Sequence, residues 1–258
     1  MSDVILETRN LRREFGALVA VDDMSISIEA GSLHSIIGPN GAGKTTFFNL
    51  VSGTLRPTSG RVFLRGDDIT DLPSHRTIHR GIGRSFQITN LFPNLTVFEN
   101  VRLAAQAMGS DSLRFFRSHR KFSRYLERTN EVLEQVGLSD KALQPAGTLP
   151  HGDQRKLELG MILAPDPEVL MLDEPTAGMA SEQVPELMAL VQSIQASGRK
   201  TVVLVEHNMN VVMSVSDRIT VMHQGALLAE GSPTEISADE RVQTAYLGEL
   251  YKEQGGRP

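Results

Sequence analysis

The chain has 258 residues, of which 40% are hydrophobic and 22% are charged, as is ordinary for a soluble globular protein. Its formal net charge of -5 gives no overall basic field for nucleic acid, and the lack of cysteine excludes disulfides, thiol catalysis and zinc–thiolate sites. The first segment, MSDVILETRNLRREF, lacks the pattern of a secretory signal, and the longest apolar runs are too short to span a bilayer. We therefore expect a cytoplasmic protein whose membrane connection, if any, is made through a partner.

The first part of the chain predicts short strands separated by turns. The segment MSISIEAGSLHSIIG, which begins at Met24, alternates between apolar and polar residues and then becomes fully apolar. The segment SGRVFLRGDDI, which begins at Ser59, has the composition of a further strand with a Gly-Asp turn. In the region 96–163 the apolar residues recur at helical spacing instead, and one helix there is predicted to end at Gly137.

Strands and helices alternate again in the last third of the chain. The segments 169–172 (VLML) and 201–205 (TVVLV) are continuous apolar runs, as expected of strands covered on both faces of a parallel sheet. The segment 218–233 predicts a hairpin around Gln224 and Gly225. A helix between the two apolar runs is indicated by one apolar stripe: Val184, Leu187, Met188, Val191 and Ile194. The chain is thus predicted to form an α/β core that is interrupted by a helical insertion.

A complete phosphate-binding motif, G-x-x-x-x-G-K-[ST], lies between a predicted strand, LHSII, and a predicted helix, TTFFNLVSG. Its glycines let successive backbone N–H groups approach nucleotide phosphates, and the start of the helix adds partial positive charge. Lys44 adds a full positive charge, and the Thr45 hydroxyl can bind Mg²⁺. The motif predicts a nucleotide site formed by Gly38, Pro39, Asn40, Gly41, Ala42, Gly43, Lys44, Thr45 and Thr46.

An acidic pair directly follows the apolar run at 169–172. Ligands bind at the carboxyl ends of strands in open α/β sheets, so Asp173 is suited to hold Mg²⁺ through water and Glu174 to polarise an attacking water. His207 ends the next apolar strand and is predicted to reach the same edge. Alone, an Asp-Glu pair or a histidine at a strand end is more often a solvated or structural group. Their position after a complete phosphate loop favours the catalytic interpretation.

At this point the chain resembles the ATP-binding subunits of ABC transporters over essentially its whole length. The resemblance depends on the order of the motifs, which is GPNGAGKTT, GRSFQ, a helical segment, LPHGDQRKLELG, VLMLDEP and VEH. It implies that the chain hydrolyses ATP with Mg²⁺. It also implies an α/β P-loop NTPase (RecA-like) core with an amino-terminal antiparallel β subdomain and an inserted α-helical subdomain. Residues 1–258 then form one ABC ATPase domain, with the core and β subdomain at 1–90 and 165–258 and the helical subdomain at 91–164.

The resemblance also implies roles for single residues. Phe15 matches the aromatic residue that stacks on adenine, although it could instead be a partly buried strand residue. Gln87 looks like the glutamine that links the metal site to the helical subdomain, and His207 looks like the residue that senses the γ-phosphate. The implied catalytic residues are Lys44, Gln87, Glu174 and His207, and the implied metal site consists of Thr45, Gln87 and Asp173.

The segment that corresponds to the family's signature, L-S-G-G-Q, departs from it in this chain. In the closed dimers of the family, the signature of one subunit contacts the ATP of the other through its serine hydroxyl and backbone N–H groups. Pro150 can supply neither donor, and Asp153 adds negative charge, although it could also cap the helix that begins here. The groups of this segment that could still contact the partner's ATP are Gly152, the start of the helix and Arg155. The signature residues here are Leu149, Pro150, His151, Gly152 and Asp153, of which the first and fourth match.

A second departure concerns the same contact between subunits. After EPTAGM the family usually has an aspartate that crosses the dimer interface, and this chain has Ala180. Both departures affect what the chain provides to its partner, whereas the residues for its own hydrolysis are intact. The sequence therefore favours a heterodimer with a second, different ATPase, while a homodimer stays open.

Within the family, the segments GIGRSFQITNLFPNLTVFENVRLAAQ, LDEPTAGM and AYLGE look most like the ATPases of branched-chain amino acid importers and their amide and urea relatives. This branch implies a peripheral subunit at the cytoplasmic face of the inner (cell) membrane. Its implied partners are transmembrane permeases, a second ATPase and, indirectly, a periplasmic solute-binding protein, with no nucleic acid. The alternatives are the ATPase of a lipopolysaccharide or lipid exporter and a soluble ABC protein without a transport role.

A basic segment, residues 113–128, lies in the helical region. The simpler interpretation is a solvated helical face, and the alternative is a surface near the membrane subunits or the lipid headgroups. Its acidic residue is Glu127 alone, and its cations are Arg114, Arg117, Arg120, Lys121, Arg124 and Arg128.

Overall fold

The computed structural model describes residues 3–85, 91–107, 119–197 and 200–253. The strands in these ranges are β1 (Val4–Phe15), β2 (Leu18–Glu29), β3 (Leu33–Ile37), β4 (Ser59–Leu64), β5 (Asp67–Asp68), β6 (Ile82–Arg84), β7 (Val169–Asp173), β8 (Thr201–Val205), β9 (Arg218–His223) and β10 (Ala226–Gly231). The α-helices are α1 (Lys44–Val51), α2 (Ser74–Thr77), α3 (Val97–Ala107), α4 (His119–Gln135), α5 (His151–Leu163), α6 (Val184–Ala196), α7 (Met209–Val215), α8 (Pro233–Ala238) and α9 (Glu240–Glu253).

The strands form two sheets. The amino-terminal sheet is antiparallel and has the order β2-β1-β4-β5. The central sheet has the order β10-β9-β3-β8-β7-β6, in which β10 is antiparallel to β9 and the other neighbours are parallel. The predicted hairpin is β9–β10, and Gln224 and Gly225 at its turn have positive φ angles. The α/β core and the antiparallel β subdomain that the sequence predicts are therefore confirmed.

The amino-terminal sheet differs from the prediction in two details. β1 and β2 are each 12 residues long rather than short, because they pair along most of their length through several register shifts. The turn after β4 consists of Arg65 and Gly66, not of the Gly-Asp pair. Both residues have positive φ angles, 51° and 81°, which a two-residue hairpin turn requires.

The central strands are buried on both faces, which explains their continuous apolar sequences. Every residue of β3, β7 and β8 is buried. In β7, Leu170 and Leu172 belong to the core formed with α5 and α6, whereas Val169 and Met171 belong to the core formed with α1 and the amino-terminal sheet. The polar groups of interest for the candidate site lie at the carboxyl ends of these strands, at Asp173 and in the residues that follow.

Helices α3, α4 and α5 lie between β6 and β7 in the chain, as the predicted helical insertion requires. They pack through buried apolar residues that include Val101, Val132 and Leu157. Gly137 follows α4 with a φ angle of 68°, the left-handed conformation predicted at the end of this helix. The subdomain boundaries at 91–164 stay a prediction. Within the ranges given above, every helix is too short or too polar to cross a membrane.

Part of the basic segment contributes to packing inside the helical region. Arg128 donates hydrogen bonds to the carbonyl oxygens of Leu163 (2.7 Å) and Ala164 (3.3 Å), and so joins α4 to the end of α5. Because its guanidinium is used in this internal contact, Arg128 fits neither of the two interpretations, a solvated helical face or a docking surface. Arg114 and Arg117 lie outside the described residues.

Candidate functional site

The predicted phosphate loop, residues 38–43, connects β3 directly to α1. The Lys44 residue is 6% exposed, and its Nζ donates to the carbonyl oxygens of Gly38 (2.5 Å) and Pro39 (2.9 Å). Asn40 and Thr45, by contrast, are exposed. The loop thus has a buried cation beneath it and polar groups facing outward, as a nucleotide site requires.

The phosphate loop is bound through its backbone to two other elements. A Cβ atom at Gly43 would overlap the carbonyl oxygen of Ala20 in β2, so only glycine fits at this position. In the β9–β10 turn, the N–H of Gly225 donates to the carbonyl oxygen of Ala42 (3.0 Å), and its carbonyl accepts from the N–H of Asp22 (2.8 Å). These contacts fix the loop relative to the amino-terminal sheet.

Phe15 ends β1 in that same sheet and is 44% exposed. The guanidinium of Arg13 lies over its ring, 4.6 Å from the ring centre. The exposure excludes a core role for the ring and leaves it accessible for stacking on a base.

Three neighbouring parallel strands end at the candidate site. β3 leads into the phosphate loop, β7 ends at Asp173, and β8 ends two residues before His207. The strands lie in the order β3-β8-β7, so their carboxyl ends form one continuous edge. The structure therefore brings together the phosphate loop, the acidic pair and the histidine, as the sequence predicts.

Asp173 is a deeply buried carboxylate at this edge, with a side chain that is 0% exposed. Its backbone N–H donates to Oγ of Ser85 (2.8 Å), which fixes the end of β7. Nη2 of Arg84 lies 3.5 Å from Oδ2, and neither carboxylate oxygen has a hydrogen-bond donor among the described residues. Burial raises the pKa of Asp173, and the neighbouring Arg84 guanidinium partly offsets this effect.

A buried carboxylate whose oxygens accept no hydrogen bond within the described part of the chain fits a bound cation, because an incompletely satisfied buried charge is costly. Carboxylate and hydroxyl oxygens are the ligands that Mg²⁺ prefers, and Thr45 lies in the first turn of α1, directly after the phosphate loop. Gln87, the third predicted ligand, lies outside the described residues. Asp173 and Thr45 are therefore the described residues that could hold the metal.

Glu174 and His207 are in direct contact, with 2.6 Å between Glu174 Oε1 and His207 Nε2. Glu174 has a φ angle of 49°, an uncommon conformation for a residue other than glycine, and its N–H donates to the carbonyl of Val205 (2.9 Å). Both side chains are partly exposed, so a water molecule can reach them. The arrangement provides a carboxylate that can accept a proton and an imidazole that orients it.

Sequence reasoning missed two residues of this site. Arg84 donates to Oγ of Ser52 (2.6 Å) in addition to its contact with Asp173, and burial lowers its pKa. Ser85 holds the backbone of Asp173. Both belong to GRSFQ, but only the pairing of β6 with β7 brings them to the acidic pair.

The signature segment forms the beginning of α5. Leu149 and Gly152 are buried, whereas Pro150 and His151 are exposed. Pro150 is the N-cap residue, and no side chain caps this helix, so the prediction that Asp153 caps it is wrong. Asp153 lies within the first turn instead and binds Nζ of Lys141 at 2.5 Å. This ion pair partly neutralises the negative charge that the sequence placed near the partner's ATP.

Arg155 also differs from the expectation. It was expected to remain available to the partner's ATP, but its Nη2 donates to the carbonyl of Ala177 (2.9 Å) and its Nη1 to Glu158 (2.7 Å). Its guanidinium is therefore bound within its own subunit. Ala180, which replaces the usual aspartate, is exposed.

Comparisons with known proteins show which family this chain is similar to. A family model described as "ABC transporter" matches residues 21–177, and one described as "Branched-chain amino acid ATP-binding cassette transporter" matches residues 226–251. The chain is 40% identical over 257 residues to the high-affinity branched-chain amino acid transport ATP-binding protein BraF of Pseudomonas aeruginosa, with 96% of this chain and 100% of BraF covered. It is 32% identical over 247 residues to the lipopolysaccharide export system ATP-binding protein LptB of Escherichia coli, with 96% and 98% covered.

The fold has a close counterpart among solved structures. The crystal structure of a nucleotide-free ATP-binding cassette from an ABC transporter matches with a TM-score of 0.81 at 30% identity, covering 94% of this chain and 98% of that one. One family model spans more than half of the chain, and the similarity to the relatives extends over nearly all of it. The chain therefore belongs to the ABC transporter family, as one of its ATP-binding subunits.

Proposed function

We propose that this chain hydrolyses MgATP at an interface between two ATPase subunits and so drives the uptake of branched-chain amino acids or related amides through separate permeases. The observation that carries the proposal is the 2.6 Å contact between Glu174 and His207, at the edge where the phosphate loop and Asp173 also lie. A carboxylate, an orienting imidazole and a phosphate loop together are the groups that phosphoryl transfer to water requires.

Each residue then has a defined role. Lys44 and the backbone N–H groups of the phosphate loop bind the phosphates, and the Phe15 ring stacks on the adenine. Asp173 and Thr45, together with Gln87, hold Mg²⁺, which neutralises phosphate charge when bound. Glu174 polarises the attacking water.

His207 orients the Glu174 carboxylate through the 2.6 Å hydrogen bond and senses the γ-phosphate when ATP is bound. The imidazole thus links the water-activating group to the state of the nucleotide. A movement of this ring would therefore also move the Glu174 carboxylate, to which it is hydrogen-bonded.

The importer assignment is supported by the two relatives. The identity to the branched-chain amino acid transport protein BraF, 40%, exceeds that to the exporter protein LptB, 32%, and the second family model carries the same branched-chain description. We place the chain at the cytoplasmic face of the membrane, with permeases, a different second ATPase and a periplasmic solute-binding protein as partners.

The catalytic part of the proposal is tested with Glu174→Gln and Lys44→Ala in the purified chain. We expect Glu174→Gln to bind MgATP but to hydrolyse it at least 100-fold more slowly, and Lys44→Ala to bind it weakly. Hydrolysis by Glu174→Gln at the rate of the unmodified chain would contradict the role of Glu174.

The transport part is tested by uptake of labelled leucine and labelled urea into cells that carry the permeases and either the unmodified chain or Glu174→Gln. We expect the substitution to abolish the uptake of one of the two solutes. Unchanged uptake of both, with ATP hydrolysis lost, would favour the exporter alternative.

A further inference from the structure

Residues 174–180, the catalytic loop, connect the acidic pair to the segment that leads into α6. The loop begins with Glu174, which contacts His207, and ends with the exposed Ala180. Two consecutive residues in its middle, Thr176 and Ala177, are bound by side chains from two different parts of the subunit.

The first of these side chains is Glu206, the residue before His207, which is only 4% exposed. Its Oε1 accepts hydrogen bonds from the N–H (3.0 Å) and Oγ1 (2.6 Å) of Thr176, and its Oε2 accepts one from the N–H of His207 (3.2 Å). Within the described ranges its carboxylate meets no lysine or arginine. A buried charge that depends on three neutral donors holds them firmly, because losing one leaves it poorly satisfied.

The second side chain is Arg155 in α5, the helix that begins with the signature segment. It donates to the carbonyl of Ala177 (2.9 Å), and its ion pair with Glu158 one turn later fixes the guanidinium (2.7 Å). Arg155 and Glu158 are mostly buried and line one small cleft together with Asp173. One small cleft thus lies between the signature helix and the end of β7 in the same subunit.

These contacts form a continuous path. It runs from His207 through the adjacent Glu206 to Thr176, from there to the adjacent Ala177, and through Arg155 into α5. Neighbouring residues in the path are joined either by a covalent bond or by a hydrogen bond to a charged group.

We propose that Glu206 and Arg155 are positioning residues that transmit the state of the γ-phosphate site to the signature helix of the same subunit. The inference depends on the proposed function, because it requires that ATP binds near His207 and that α5 faces the partner's ATP. Nucleotide bound at one site then changes the position of the helix that serves the other site. The exposed replacement residues of the signature do not take part in this path.

The experiment measures hydrogen–deuterium exchange of the full chain with and without the magnesium complex of a non-hydrolysable ATP analogue. It is done at a concentration at which sedimentation shows a monomer, so that the partner's nucleotide cannot protect α5 directly. We expect at least twofold slower exchange in peptides covering 38–46 and, through the proposed path, also in 151–160.

Two substitutions interrupt the path from opposite ends. In Arg155→Met and in Glu206→Gln, protection of 38–46 should remain while the nucleotide-dependent change at 151–160 is lost. Because both act on one path, the double variant should show no further loss. If one variant does not fold, the other tests the same path.

Lys156→Met is the matched control. It removes a cation from the same turn of α5, but Lys156 binds Glu186 (2.6 Å) at the start of α6 rather than the catalytic loop. This variant should keep both nucleotide-dependent changes.

The outcomes separate the two proposals. Protection of 38–46 without any change at 151–160 in the unmodified chain would overturn the coupling and leave nucleotide binding intact. A change at 151–160 that persists in Arg155→Met and Glu206→Gln would also overturn it. If 38–46 is not protected at all, the proposed function fails, and the coupling fails with it.

Discussion

Nε2 of His207 lies 2.6 Å from Oε1 of Glu174, just beyond the ends of the neighbouring strands β8 and β7. This hydrogen bond fixes one oxygen of a carboxylate whose backbone already has an unusual φ angle of 49°. Two independent constraints therefore determine where the carboxylate points. A general base that is held in this way needs no reorientation before it acts on a water molecule.

The first prediction concerns this contact. His207→Ala should lower kcat for ATP hydrolysis by at least tenfold, since a hydrogen bond to a charged group contributes about 1.5–3 kcal/mol. The Kd for MgATP should change much less. The matched control is His79→Ala, an exposed histidine away from the site, which should keep the original kcat. Equal activity of both variants would show that His207 does not orient Glu174.

The second prediction concerns Arg84. Arg84→Met leaves the buried Asp173 carboxylate without its neighbouring cation, and we expect it to lower the free energy of unfolding by about 3 kcal/mol. In an Asp173→Asn background the same substitution should cost at least about 1 kcal/mol less, because the charge is gone. Urea unfolding of all four proteins measures the difference.

The control for Arg84 is Arg80→Met, whose ion pair with Asp67 is exposed and should contribute about 1 kcal/mol or less. Identical costs of Arg84→Met in both backgrounds would refute an interaction between Arg84 and Asp173.

The third prediction restores part of the signature. Pro150→Ser supplies the hydroxyl and N–H that proline lacks, and serine is also a favourable N-cap residue for α5. We expect the free energy of unfolding to rise by about 0.5–2 kcal/mol and ATP-dependent dimerisation to strengthen. Asp153 keeps its ion pair with Lys141 in this variant.

Pro150→Ala separates the two effects of that change, because alanine restores the N–H without the hydroxyl. It should strengthen dimerisation less than Pro150→Ser does. If neither substitution alters dimerisation, position 150 does not contact the partner's nucleotide.

The fourth prediction is asymmetry between the two ATPase subunits. The chain has all the proposed catalytic residues but an altered signature and Ala180, so the partner's ATP should be held less tightly than its own. Glu174→Gln here should therefore reduce transport much more than the equivalent substitution in the partner. The comparison is made in vesicles that contain the whole transporter, and equal losses would exclude the asymmetry.

The fifth prediction concerns His34, which is fully buried in β3 with its Nε2 2.7 Å from Oγ1 of Thr220. Burial, with a smaller contribution from Arg218, lowers its pKa to about 4. In the unfolded chain His34 takes up a proton near pH 6.5, whereas in the folded chain it stays neutral until about pH 4. The contribution of His34 to the free energy of unfolding is therefore fully present above pH 6.5 and is lost as the pH decreases toward 4.

The resulting loss of unfolding free energy between pH 7.5 and pH 5 is about 2 kcal/mol from this residue alone. His34→Gln cannot take up this proton, and its stability should fall less over the same interval. Thermal or urea unfolding at both pH values measures the two slopes. Parallel slopes for the two proteins would show that His34 does not account for the acid sensitivity.

What the sequence could predict depended on how far apart the interacting residues lie in the chain. The predictions of the phosphate loop, β7 and β8 were correct, because each of these elements is encoded by a contiguous pattern in the sequence. The acidic pair and His207 were brought together correctly because the carboxyl ends of parallel strands share one edge.

The contacts that were missed or wrong join residues from separate elements. Arg155 reaches the carbonyl of Ala177, and Asp153 pairs with Lys141, which precedes its helix. Neither pairing follows from helical spacing or from a capping rule, since both depend on how α5 packs against the loops around it. A capping role for Asp153 was therefore considered where a salt bridge exists.

The backbone contact between Gly43 and Ala20 has a further consequence. It places the phosphate loop directly against the amino-terminal sheet, so Phe15 and Lys44 belong to elements that are packed together. With the base on Phe15 and the phosphates on the loop, as proposed, a ligand must have the length of a nucleoside polyphosphate to occupy both ends. Inorganic phosphate or a free base is too short to reach both ends, so the site selects ligands by their length as well as by the base.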